Sequence, residues 1–278
     1  IIMNETLQII IKANVAEAQK ALKDVQNEVK ETEKKASTFG DTLKAILASD
    51  VIKKGAEALG KAIGKVGDTV KQSIGNFAEY EQLVGGVDTL FKDSSQKVQK
   101  YAADAYKTAG LSANDYMAQV TSFSASLLQS LDGDTNAAAD AANQAVIDMA
   151  DNANKMGTSV ESIQNAYQGF AKQNYTMLDN LKLGYGGTKT EMERLLADAE
   201  KISGIKYDIN NLNDVYSAIH VIQGELGITG TTAKEASTTI QGSAASMKAA
   251  WNNMLTGIAS GTGNVQDMVH GFIETVKT

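Results

Sequence analysis

The residue types that perform most enzyme chemistry are scarce in this chain. It contains no cysteine, which excludes thiolate nucleophiles, thiolate metal ligands and disulfide bonds. Its two histidines, His220 and His270, are fifty positions apart, and two are too few for a metal site built from histidines. Arg194 is the one arginine among 278 residues, so the chain has almost no side chain that could form bidentate hydrogen bonds to phosphates or bases. These counts favour a protein that is not an enzyme and that holds no cofactor or metal.

Two short motifs look like ligand-binding loops, and each departs from the pattern that it would need. Segment 132–134 reads Asp-Gly-Asp, as a calcium loop begins, but a helical sequence follows in place of further ligands and a closing glutamate. Segment 184–190 reads Gly-Tyr-Gly-Gly-Thr-Lys-Thr, whereas a phosphate-binding loop requires lysine directly after its last glycine. We therefore predict a turn and helix cap at 132–134 and a glycine turn before a capped helix at 184–190.

Charge and hydrophobic pattern both divide the chain near Gly75. Residues 1–75 carry a net charge of +2, whereas residues 76–278 carry −9. The first part contains an apolar heptad seam, with lysine and glutamate on the other faces, formed by Val15, Ala18, Leu22, Val25 and Val29. This pattern predicts coiled-coil-like amphipathic helices over residues 1–75.

A second helix is predicted from about Thr42 to Gln82, and its glycines leave an alternative function open. Gly60 and Gly64 have the spacing of close helix packing in lipid, but the lysines around them exclude a membrane-spanning segment. A helix that lies on a membrane surface with lysine on its polar face is the remaining membrane interpretation. The alternative function is thus a membrane-active helical protein, either pore-forming or envelope-penetrating.

The second part reads as shorter helices separated by clear stop signals. Four capping boxes, in which serine or threonine precedes an acidic residue by three positions, predict helix starts at Ser112, Thr158, Thr188 and Thr232. We expect an all-α fold in which the N-terminal helices are followed by a compact multi-helix bundle domain at 76–260. Residues 261–278 begin a further helix, and because this helical pattern continues to the last residue, we expect a fragment of a longer protein.

The run LDNLKLGYGGTKTEM at residues 178–192 is the most specific pattern in the chain, and it lies within a longer matching stretch, 147–200. Three flanking segments agree in order: FAEYEQLVGGVDTLF at 77–91, AGLSANDYMAQVTSFSASLLQSL at 109–131 and IQGSAASMKAAWNNMLTGIA at 240–259. Together they resemble the core domain of tail tape measure proteins from long-tailed phages and prophages of Gram-positive bacteria. The resemblance covers about residues 75–260.

This resemblance implies a structural function within the phage tail. Such proteins occupy the lumen of the growing tail tube, set tail length, and help the genome to leave the particle. The expected partners are the tail tube protein, tail assembly chaperones, baseplate or tail-tip proteins, other copies through helices, and the host membrane on ejection. Sequence-specific nucleic-acid binding is not expected. The expected locations are the tube lumen of the virion and, during assembly, the host cytoplasm.

The resemblance assigns a structural role, with no catalytic, cofactor or metal role, to the motif residues of this chain. They are Leu178, Asp179, Asn180, Leu181, Leu183, Gly184, Gly186, Gly187, Thr188, Glu191 and Trp251.

Overall fold

The structure is a computed structural model that describes residues 66–236 and 240–260. Within these ranges the fold is all-α, without a strand, as the sequence predicts. The heptad seam, most of the predicted second helix and residues 261–278 lie outside the described residues. The helices are α1 (Val66–Phe91), α2 (Ser95–Thr108), α3 (Ala113–Ser130), α4 (Thr135–Met156), α5 (Val160–Phe170), α6 (Lys189–Ser203), α7 (Leu212–Glu225), α8 (Thr231–Ala236) and α9 (Ile240–Ser260). Short 3₁₀ turns occupy Lys92–Ser94 and Leu178–Leu181.

Residues 82–235 form one compact unit, and the first part of α1 and helix α9 belong to another. The predicted domain limits at 75 and 260 stay predictions. Helix α4 lies at the centre of the compact unit, in contact with α2, α3, α5, α7 and the 3₁₀ turn at Leu178–Leu181. Its buried surface is rich in alanine, which lets neighbouring helices approach closely.

A continuous row of aromatic rings joins α3, α5, α7 and the loop after α5. Phe123 meets Tyr216 edge-on, with ring centroids 5.6 Å apart. Tyr216 lies 4.9 Å from Tyr167, which lies 5.8 Å from Phe170, and the row ends with Phe170 6.0 Å from Tyr175. All five side chains are buried, so these rings supply much of the core in a chain with few aromatic residues.

Two of the four predicted capping boxes begin helices as expected, and two do not. The Ser112 and Thr188 hydroxyls accept hydrogen bonds from backbone N–H groups three residues later. The prediction at Thr158 is wrong by one residue: Ser159 caps α5, while the Thr158 hydroxyl donates to the Asn180 carbonyl oxygen. Thr232 is also not a cap. It lies inside α8, and its N–H donates to the side chain of Asp151 on α4.

Helix α1 continues beyond its predicted end at Gln82 and stops at Phe91. The two glycines at 85 and 86 lie inside the helix. Val87 and Phe91 are fully buried, so packing of the last two turns offsets the helix-weakening effect of those glycines.

Candidate functional site

The motif run at 178–192 forms a tight junction between α5 and α6. Leu178, Leu181 and Leu183 are buried in the compact unit, and the first two belong to the 3₁₀ turn. Lys182 ends this turn in the left-handed conformation, with φ of +53°. Its ammonium group donates to the Met156 carbonyl oxygen at the end of α4, at 3.0 Å. The leucines therefore fix the loop to the core, and Lys182 satisfies a backbone carbonyl oxygen at the C-terminal end of α4.

Helix α4 and the residues after it hold this loop by its backbone. The amide of Asn152, which is fully buried, donates to the Leu181 carbonyl oxygen at 3.0 Å. The Thr158 hydroxyl donates to the Asn180 carbonyl oxygen at 3.2 Å. Because both side chains bind backbone oxygens, they fix the path of the loop and do not depend on the side chains at its tip.

The glycines of the motif serve different purposes. Gly184 has φ of +87°, a conformation that favours glycine, and this confirms the predicted glycine turn. Gly187 has no positive φ, and glycine is required there for a different reason. A Cβ on Gly187 would lie 2.3 Å from the Thr176 carbonyl oxygen, so only glycine permits this close approach of the two backbone segments. A Cβ on Gly186 would meet only the Glu191 side chain, at 3.4 Å, and Gly186 has no positive φ, so this position can accept another residue.

A charged cluster ties the glycine turn to the first turns of α6. The Glu191 carboxylate accepts from the Gly186 N–H at 2.9 Å and from the Arg194 guanidinium at 2.6 Å. Arg194 also donates to the Gly184 carbonyl oxygen at 2.8 Å, and it stacks on the Tyr185 ring at 4.3 Å from the ring centre. These bonds from Arg194 and Gly186 lower the pKa of Glu191, which therefore stays ionised at neutral pH.

In this arrangement, backbone N–H and hydroxyl groups of the kind that a phosphate-binding loop directs at its ligand are already hydrogen-bonded within the chain. The Gly186 N–H is bound to Glu191, and the Thr188 N–H donates to the Gly186 carbonyl oxygen at 2.9 Å. The Thr188 hydroxyl caps α6 by accepting from the Glu191 N–H. A carboxylate thus occupies the position beside the turn where an anion would have to bind, and the geometry is that of a packed structural junction.

The motif residues on 178–191 are all brought together in this junction. The Asp179 carboxylate lies 3.3 Å from the position that a Cβ on Gly187 would take. Trp251 is half-buried on α9, which belongs to the other unit. The role of these residues as a family motif stays a prediction.

A second group of polar residues, on the core side of α4, was missed from the sequence. Asp148 is 1% exposed, and its carboxylate lies 2.8 Å from Nδ1 of His220 on α7. Asp151 is fully buried and accepts hydrogen bonds from the backbone N–H groups of Gly230, at 2.5 Å, and Thr232, at 2.8 Å. Asp151 therefore acts as the cap of α8, although it lies about eighty residues before it.

The electrostatics of this group follow from burial. Desolvation raises the pKa of Asp148, against the opposing effect of its hydrogen bond from His220. The same hydrogen bond raises the pKa of His220, which is half-buried.

In the described part of the chain, no cluster of three or more histidine, aspartate or glutamate side chains is placed to hold a metal ion. No helix there is both long and apolar enough to cross a membrane. A scan against protein-family models, a search of curated proteins and a search of solved structures each give no match.

Proposed function

We propose that this chain is a fragment of a phage tail tape measure protein, a structural protein that sets tail length from within the tail tube. The observation that carries the proposal is the run LDNLKLGYGGTKTEM at 178–192, with its three flanking segments in the order typical of that family. The tail tube protein and the assembly chaperones are the partners that this function requires.

The geometry of the motif supports a structural role over a ligand-binding one. The leucines of the run are buried, its glycine turn binds Glu191 and Arg194, and Asn152 holds its backbone. The motif residues of segment 178–191 thus shape one helix junction, which agrees with a role in assembly rather than in catalysis.

The physical basis of length control is the regular rise of a helix. An α-helix gains about 1.5 Å per residue, so the length of an extended helical segment is proportional to its number of residues. Proline would kink such a segment, and the chain contains none. Its net charge of −7 disfavours tight binding to DNA, which suits a protein that must leave the tube ahead of the genome.

Protease protection in assembled tails tests the proposal. Tails purified from the phage or prophage that encodes this chain should contain it, and added protease should not cleave it while the tails are intact. The recombinant chain, digested under the same conditions, is the control, and tails triggered to eject should lose their protection. A chain that is missing from the tails, or that is cleaved equally fast before and after ejection, would refute a position in the lumen.

A further inference from the structure

One buried ionisable contact joins the central helix to the hairpin of α6 and α7. Helices α6 and α7 pack on each other, and α7 also packs on α4. At that contact, Asp148 of α4 is 1% exposed, whereas the His220 side chain of α7 is 37% exposed. The imidazole thus reaches from solvent to a carboxylate that has almost no access to water.

The hydrogen bonds around the Asp148 carboxylate indicate which ring nitrogen of His220 donates to it. Gln144, one turn earlier on α4, donates from its amide to Asp148 at 3.0 Å. The same amide nitrogen lies 3.2 Å from Nδ1 of His220, so it cannot serve as the partner of a protonated Nδ1. Because a carboxylate only accepts, Nδ1–H of His220 donates to Asp148, and Nε2 is left as the position that gains or loses a proton.

Two other titratable groups face the pair in the described part of the chain. Asp151 lies one turn further along α4, and its negative charge acts on both Asp148 and His220. Tyr167 of α5 is buried and stays neutral, because desolvation raises its pKa well above the ordinary value. Two carboxylates therefore share a site in which His220 supplies the positive charge.

We propose that His220 and Asp148 form a pH-sensitive clamp between α4 and the α6–α7 hairpin. The clamp is strongest while both ring nitrogens of His220 are protonated, and it weakens when alkaline pH removes the Nε2 proton. The neutral imidazole keeps its Nδ1–H hydrogen bond to Asp148 but no longer balances the buried charges of Asp148 and Asp151, which favours entry of water between α4 and α7.

The direction of the pH effect follows from the two pKa shifts. Both the His220 and the Asp148 pKa are raised in the folded chain, so each group favours folding most at low pH. Between the unfolded histidine pKa of about 6.5 and the raised folded value, the folded chain holds up to one proton more than the unfolded chain. Over that interval the folding equilibrium constant should fall by up to about tenfold per pH unit.

Two measurements on the full chain test the clamp. The first is an NMR titration of the histidine side chains, in which the H220Q spectrum assigns the two signals to His220 and His270. The second is urea unfolding from about pH 5 to 9 of the wild type, D148N and H220Q, with hydrogen exchange of peptides from 212–225, corrected for the intrinsic exchange rate, as the local readout.

The clamp predicts a His220 pKa above about 6.5 in the wild type. It also predicts a loss of stability and of exchange protection in α7 as the pH rises beyond that value. D148N should remove this dependence, because an amide does not attract the proton of His220. H220Q should move the loss to lower pH, because Asp148 then titrates without a cation.

A wild-type His220 that titrates at or below about 6.5 would overturn the proposal. So would a D148N or H220Q profile that superimposes on that of the wild type. If D148N does not fold, the wild-type titration and the H220Q profile decide the question by themselves.

Discussion

Gly187 lies so near the backbone of Thr176 that one added methyl group must move the loop. A Cβ there would be 2.3 Å from the Thr176 carbonyl oxygen and 3.0 Å from its carbonyl carbon. A relaxed carbon–oxygen contact is about 3.3 Å, so Gly187→Ala requires a shift of about 1 Å. Leu178 and Leu181 fix that loop in the core, and Asn152 holds its backbone, which leaves little room for the shift.

The expected cost is that of overpacking a fixed site, about 1–3 kcal/mol, near the upper end because the obstructing atoms are backbone. Gly186→Ala is the matched control. Its added Cβ would meet only the flexible Glu191 side chain, at 3.4 Å, and Gly186 has no positive φ. Loss of glycine freedom in the unfolded chain then gives a change between zero and about 1 kcal/mol of stabilisation.

Urea unfolding followed by far-UV circular dichroism measures both variants, and hydrogen exchange of peptides from 171–190 localises the effect. With a slope of about 2 kcal/mol per molar urea, Gly187→Ala should lower the midpoint by about 1–1.5 M. Gly186→Ala should leave it unchanged or raise it slightly. Equal midpoints for Gly187→Ala and the wild type would show that the close approach does not constrain the loop, and the packed-junction interpretation would fail.

Two further substitutions test the caps. Thr188→Ala should destabilise the compact unit by about 1 kcal/mol in urea unfolding, because α6 loses its cap. Thr190→Ala, the same change at an exposed position two residues later, should have no such effect. Equal effects of the two substitutions would contradict the cap assignment. Asp151→Ala should cost about 2–4 kcal/mol, because it leaves two backbone N–H groups of the Gly230–Thr232 segment without their acceptor. Asn154→Ala, which removes an exposed hydrogen bond to Glu235 in the same part of the chain, should cost under about 1 kcal/mol, and a larger loss there than at Asp151 would refute the capping role of Asp151.

Helix identity and helix ends were readable from the sequence because their signals are local. Gly157 and Gly204 end α4 and α6 in the left-handed conformation, and Gly227 has a positive φ just after α7. Asp134 accepts from the N–H groups of Asn136 and Ala137, which confirms a cap in place of a calcium loop. Each of these features involves residues within a few positions of one another.

The predictions that failed depended on distant partners. Thr158 and Thr232 have the sequence of helix caps, but each is bound by a residue that only the fold brings near. Asp148 and Asp151 are polar residues on an alanine-rich helix, a pattern that normally indicates a solvated face. Their partners lie seventy to eighty positions further along the chain, so no local sequence pattern indicates that they are buried.

Tail length is the quantity that tests the proposed function most directly. Four extra heptads, inserted in register after Val29 in the full-length protein, add 28 residues to the predicted heptad helix and keep its apolar seam in phase. If that helix is part of the ruler, electron microscopy should show tails longer by about 42 Å, or by the nearest whole number of tube rings. The same 28 residues inserted at Gly204, in an exposed loop of the compact unit, should leave tail length unchanged. Tails of wild-type length from both insertions would contradict the tape measure account of this chain.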